Sequence, residues 1–237
     1  MGKEKAVAAK KVSKTFRQGA SAVHALKEID FDAYLNELLL IVGPSGCGKT
    51  TFLSVLAGTL RFDAGGEIEI FNQPLHLLKE SQITNFRKKN VGFIFQQYHL
   101  IKALNCLENV SVPLLLNGMK KSEAHELSRV ALENVGLKGR EKEKPQNLSG
   151  GQQQRVAIAR AIVHKPKLVI CDEPTAALDE ESGTQIMELL LGIARKTGHC
   201  VIIVTHDNRI FKYGDRIAKM NDGRMTSVQK NEIQSSG

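Results

Sequence analysis

Residues 37–50 read ELLLIVGPSGCGKT. Behind Glu37 stand five apolar residues, the length of a strand buried on both faces and far short of a membrane span. The last eight, Gly43-Pro44-Ser45-Gly46-Cys47-Gly48-Lys49-Thr50, fit the spacing G-x-x-x-x-G-K-[ST]. The chemistry needs these residue types. Glycines let successive backbone N–H groups curl around phosphate oxygens, and the following helix turns its positive end toward the same anion. The Lys49 ammonium can neutralise β- and γ-phosphates, the Thr50 hydroxyl can ligate Mg²⁺, and Thr51 follows at the same helix start. Apolar spacing at Phe52, Leu53, Val55 and Leu56 predicts a helix over 50–57 that stops at Gly58. The motif alone specifies a nucleotide, ATP or GTP.

Further along, residues 168–173 read LVICDE, an apolar strand ending in two carboxylates. Beside a phosphate loop, Asp172 is placed to hold Mg²⁺ through water and Glu173 to act as general base on the attacking water. A solvated strand cap is the plainer alternative for this pair taken alone. Residues 201–204, VIIV, run directly into Thr205-His206-Asp207, which sets His206 at a strand end on the phosphate-loop side. Gln96 and Gln97 follow the strand expected over 91–95, and either could reach Mg²⁺ and water. Residues 148–152, LSGGQ, precede a helix expected over 151–163. Ser149, Gly150, Gly151 and Gln152 thus form a second anion-binding helix start. One nucleotide cannot easily touch both starts within one protomer; a head-to-tail dimer would complete each site.

Strands are also expected over 6–12, 29–33 and 67–71, and a hairpin over 217–220 and 225–228 around the turn Asn221-Asp222-Gly223-Arg224. Between Leu100 and Lys144 helical spacing dominates, over 107–116 with Pro113 disturbing it and over 122–135. A last helix is expected over 182–196. Strands alternating with helices imply an α/β fold with a mainly parallel sheet. The expected division is a core over 6–96 and 153–226, a helical subdomain over 97–152, and a polar tail over 227–237.

Composition narrows the classes. The 237 residues carry 42% apolar and 24% charged side chains, an ordinary globular balance. No run approaches a bilayer span, and the basic N-terminus lacks the apolar core of a secretory signal. The net charge of +8 is spread along the chain without interleaved aromatics, which argues against nucleic acid. Cys47, Cys106, Cys171 and Cys200 contain no C-x-x-C pair, so reduced thiols are expected rather than zinc or a redox centre. Cys47, beside a helix start, is the thiol expected to react and to be shielded by MgATP.

In order, GPSGCGKT, FIFQ, LSGGQ, LVICDEP and THD resemble the motifs of ATP-binding-cassette (ABC) ATPases, over nearly the whole chain. The resemblance implies a P-loop NTPase (RecA-like) core, an N-terminal antiparallel β region, an inserted helical subdomain, and ATP with Mg²⁺ held between two copies. It selects Gln96 over Gln97, assigns Asp179 to the contact between copies, and makes His206 a γ-phosphate sensor. It places Phe16 where the family stacks an aromatic on adenine. Cys47 departs from the common serine of the loop. The stretches VHALKEIDF, FIFQQYHLIKALNCLENVSVPLLL and DEPTAALDEESG resemble the bacterial group serving macrolide efflux, lipoprotein release and heterocyst glycolipid export. THDNRIFKYGDRIAKMNDGRM resembles the glycolipid-export members especially. That group implies a transport motor on the inner face of the cytoplasmic membrane. Its partners are a separate permease with few membrane helices and a large periplasmic domain, and a periplasmic adaptor. Residues 100–116 are the expected docking surface, or else core. The alternative is a cell-division regulator built on the same cassette.

Overall fold

The computed structural model describes residues 4–18, 21–196 and 198–231. Within them the strands form two sheets. The larger has the order β10-β9-β3-β8-β7-β6. Its strands are β3 (Glu37–Val42), β6 (Val91–Ile94), β7 (Leu168–Asp172), β8 (Cys200–Thr205), β9 (Arg216–Asn221) and β10 (Arg224–Lys230). All neighbours pair in parallel except β10 against β9. The smaller sheet, in the order β2-β1-β4-β5, is antiparallel and built from β1 (Lys5–Gln18), β2 (Ser21–Tyr34), β4 (Glu67–Ile70) and β5 (Gln73–Pro74).

The apolar runs explain the layers. Along β3, Leu38, Leu40 and Val42 face one hydrophobic core while Leu39 and Ile41 face the other. β8 divides the same way, Val201 and Ile203 against Ile202 and Val204. Strands apolar on both faces must be covered on both faces. One cover consists of α3 (Cys106–Leu116), α4 (Lys121–Asn134), α5 (Gly150–Ile162) and α6 (Glu180–Ala194). The other is α1 (Lys49–Leu56) with the smaller sheet, where Phe31 of β2 meets Phe52 of α1 edge-on at 5.2 Å between ring centroids. The helical stretch shares its core with the strands: Val110, Leu114 and Leu132 pack in one cluster with Ile94, Val169 and Val201.

Several elements differ from the sequence expectation. β1 and β2 run on as a long hairpin beyond 6–12 and 29–33, with register shifts that break simple alternation. The helix α2 (Glu80–Asn90) was not expected; Ile83 and the half-buried Phe86 are its only apolar residues, too few to mark a stripe. Pro113 lies inside α3 without ending it, and Asn117 closes the helix by donating from Nδ2 to the Pro113 carbonyl at 3.0 Å. The polar tail expected from residue 227 begins later. β10 continues to Lys230, and Asn231 is buried with its Nδ2 bonded to the carbonyls of Phe211 and Gly214. The rest of that expected tail, 232–237, lies outside the described residues.

Asn109 holds the helical stretch together. Fully buried, it accepts from the Ile101 N–H at 2.8 Å and donates to the carbonyls of Ile101, Leu104 and Asn105. Replacing it removes these bonds and leaves the Ile101 N–H without its side-chain acceptor, so Asn109→Ala is expected to lower unfolding stability by about 1–3 kcal/mol in urea titration.

Candidate nucleotide site

The sheet order brings the motifs together. β3, β8, β7 and β6 are successive parallel neighbours, and each is followed at its carboxyl end by a predicted site segment. The phosphate loop follows β3, Thr205-His206 closes β8, Asp172-Glu173 closes β7, and Gln96 lies just past β6. A cavity of about 410 Å³ opens there. Its lining includes Ser45, Gly46, Gly48, Lys49, Thr50, Thr51 and Glu173.

The loop's shape depends on its glycines. Gly48 has φ +103°, and a Cβ there would stand 2.4 Å from the Ala25 carbonyl oxygen. At Gly43 a Cβ would stand 2.1 Å from the Met220 carbonyl oxygen. Any side chain at either position displaces backbone. Lys49 is 6% exposed and reaches back over the loop, donating to the carbonyls of Gly43 and Pro44 at 2.8 Å each. Its ammonium is therefore already positioned inside the curl of the loop. Cys47 turns inward, 5% exposed, with Sγ 3.9 Å from Lys49 Nζ. Burial withdraws this thiol from solvent, which runs against the expectation of a reactive Cys47. Its carbonyl accepts from the Gly223 N–H at 2.9 Å, so the β9–β10 turn braces the loop.

Asp172 and Glu173 divide in role by environment. Thr50 Oγ1 donates to Asp172 Oδ1 at 3.3 Å. Burial raises the Asp172 pKa above the ordinary aspartate value, the neighbouring Glu173 charge adds to that, and the Thr50 bond opposes it. A carboxylate made costly by burial and a like charge, with a hydroxyl beside it, fits a hard divalent cation that takes oxygen ligands. Mg²⁺ would be held here by Thr50 and Asp172. When bound it supplies positive charge against the β- and γ-phosphates.

Glu173 has φ +47°, rare for a residue with a Cβ, and its N–H continues the ladder to the Val204 carbonyl at 2.9 Å. That twist turns the side chain into the cavity. His206 Nδ1 lies 2.7 Å from Glu173 Oε1. An ionised carboxylate only accepts, so the ring nitrogen Nδ1 donates to it. Glu173 is 16% exposed against 58% for His206, so the carboxylate is shielded and its partner faces solvent.

The remaining predicted residues fall in three places. Phe16, 43% exposed, pairs across strands with Val23, which lines the cavity, and Lys14 Nζ sits 5.5 Å from its ring centroid. Gln96 and Gln97 are exposed on the turn after β6. Ser149, Gly150, Gly151, Gln152 and Asp179 lie outside the cavity's lining. Ser149 caps α5 reciprocally with Gln152, and Asp179 caps α6 by accepting from the Ser182 N–H and hydroxyl, bonds that lower its pKa. The two caps adjoin: a Cβ on Gly151 would stand 3.1 Å from Ser182 Oγ. Sequence reasoning missed His24, Ala25, Asp222 and Gly223 in the cavity wall, since a hairpin turn carries no sign of what it packs against. It also missed Gln154, fully buried, whose Nε2 ties α5 to the Pro174 carbonyl just past Glu173 at 2.9 Å.

A family profile described as "ABC transporter" matches residues 26–176. The chain belongs to the ABC transporter ATP-binding family. As an ABC cassette it is an ATPase and an ATP-binding protein. It is 42% identical over 222 residues to an uncharacterized ABC transporter ATP-binding protein of Methanocaldococcus jannaschii, covering 94% of this chain and 98% of that one. To the lipoprotein-releasing system ATP-binding protein LolD of Chromohalobacter salexigens it is 40% identical, covering 91% and 90%. To the macrolide export ATP-binding/permease protein MacB of Wolinella succinogenes it is also 40% identical, over 96% of this cassette but 35% of that longer protein. The cassette therefore falls in the MacB/LolD-like group. Among solved structures, the dimeric post-hydrolysis state of the cassette MJ0796 bound to ADP and Pi superposes with a TM-score of 0.87 at 37% identity, covering 94% of this chain and 98% of that one.

Proposed function

We propose that the cassette is the ATP-hydrolysing motor of an exporter in the cytoplasmic membrane, working as a head-to-tail pair on a separate permease. One observation carries the reading. The catalytic groups converge at the ends of β3, β8, β7 and β6, while the Ser149–Gln152 helix start lies outside that cavity. A second copy brings the missing helix start to each nucleotide, with Asp179 at the seam. MJ0796, solved as a dimer with ADP and Pi, supports such a pair. Phe16 stacks the adenine, the loop takes the phosphates, Glu173 receives the proton of the attacking water, and His206 orients Glu173 and reads the γ-phosphate. Gln96 reaches Mg²⁺ and that water.

The names of the LolD and MacB relatives support a membrane partner. A groove of about 340 Å³ between core and helical stretch supplies a place for it, with Phe93, Phe95, Pro113 and Leu116 offering apolar surface beside Arg87 and Lys88. Leu116, 61% exposed, is the exposed end of α3 within the region expected to dock. The glycolipid-export likeness of residues 205–225 points to a lipid-like cargo.

The test is reconstitution in liposomes with the permease encoded in the neighbouring reading frame. ATP-driven movement of a lipid or amphipathic cargo is expected. ATP turnover that moves no cargo favours the regulator. Leu116→Asp is expected to cut permease-stimulated ATPase roughly tenfold or more, as a charge in an interface centre does, while basal turnover persists.

A further inference from the structure

The turn that carries Gln96 has an unusual build. Tyr98 and His99 are consecutive residues with φ +57° and +46°, a left-handed pair without glycine. Such a pair costs strain and persists only where its surroundings hold it. The hold is visible. Arg160 of α5 donates from Nη2 to the Tyr98 carbonyl and from Nη1 to the His99 carbonyl, both at 2.7 Å. The Tyr98 N–H closes the turn onto the Phe95 carbonyl, and the rings of Phe95 and His99 stack at 4.7 Å between centroids. At the other end of α5, the Tyr98 hydroxyl stands 3.1 Å from where a Cβ on Gly150 would be. The Gln96 turn therefore lies along α5, bonded to it at Arg160 and in close approach to it at Gly150.

We propose that Arg160 is a positioning residue for ATP hydrolysis: it locks the Gln96 turn to α5, so that Gln96 and the Ser149–Gln152 helix start move as one body. The proposal rests on the reading of Gln96 as the group that reaches Mg²⁺ and water. The guanidinium suits the task because its planar fork spans two acceptors at once, whereas a lysine ammonium is a point donor on a flexible stem. Arg160 also lines the groove between core and helical stretch, so a partner seated there touches the residue that holds the turn.

The experiment compares Arg160→Lys, Arg160→Gln, Gln96→Ala and the Arg160→Lys/Gln96→Ala double variant in steady-state ATPase assays. Arg160→Lys is expected to lower kcat roughly tenfold or more, as misplacement of a reacting group does, with KM for MgATP within about twofold of wild type. The double variant is expected within about twofold of Gln96→Ala, because both changes remove one function. Hydrogen exchange at residues 96–99 reads the turn directly: faster exchange there, with α5 still protected, is expected in Arg160→Lys and Arg160→Gln. Wild-type kcat in Arg160→Lys, a rise in KM matching the fall in kcat, full additivity in the double variant, or unchanged exchange each overturns the proposal. Wild-type kcat in Gln96→Ala removes the underlying reading of Gln96 and the proposal with it. A slow Gln96→Ala beside a normal Arg160→Lys removes the Arg160 role alone.

Discussion

Glu173→Gln is expected to stop turnover while leaving MgATP bound. The amide matches the carboxylate in shape, and its oxygen still accepts from His206 Nδ1, whose contact with Glu173 is 2.7 Å. It cannot take a proton from water. Loss of a positioned general base costs about 10²–10⁴-fold in rate, and kcat in a phosphate-release assay should fall by that much. Because binding and closure survive, the variant should accumulate as an ATP-loaded dimer, visible as doubled mass in size-exclusion chromatography with light scattering. Wild-type ATPase activity in the variant would sink the base assignment. A slow variant that stays monomeric with MgATP would instead count against the paired site.

Lys49→Ala should act one step earlier. The Lys49 ammonium already lies among the loop carbonyls of Gly43 and Pro44, so wild type presents its charge with little rearrangement. Charge-assisted hydrogen bonds to phosphate are worth about 1.5–3 kcal/mol, and at the upper end MgATP affinity should weaken roughly a hundredfold. Calorimetric titration measures this directly. Thermal unfolding without nucleotide separates lost binding from a collapsed loop, since the side chain is buried and bonded. Unaltered ATP affinity would remove the loop from the site.

The readable and unreadable parts of this cassette separate on physical grounds. β3, β7 and β8 were legible because each is an apolar run ending abruptly in residues that handle phosphate, metal or protons. Burial and chemistry there stand next to each other in the chain. α2 was not legible, since Ile83 and the half-buried Phe86 are its two apolar residues and polar side chains fill the rest. The long β1–β2 hairpin was read short because its register shifts break the two-residue alternation. At the site, the residues in the loop and at the strand ends were named from sequence; Lys49, Thr50, Thr51 and Glu173 line one cavity, with Asp172 in contact with Thr50 and His206 with Glu173. The bond between Glu173 and His206, the Thr50–Asp172 contact and the Gln154 tie to Pro174 were not, because each joins elements remote in the chain. Cys47 was misjudged for the same reason. A helix start suggests reactivity, and only packing reveals that the thiol faces inward.

The brace under the phosphate loop has a consequence for how the protein is made. Gly43 is packed against the Met220 carbonyl, and the Cys47 carbonyl is held by the Gly223 N–H. Those supports come from β9 and the β9–β10 turn, far downstream of the loop in the chain. A ribosome that has released the loop has not yet released what shapes it. A nascent chain therefore carries an unbraced phosphate loop until β9 and β10 have emerged. The loop's brace is complete only when β9 and β10 dock, so a chain without them holds its phosphate loop without these two contacts.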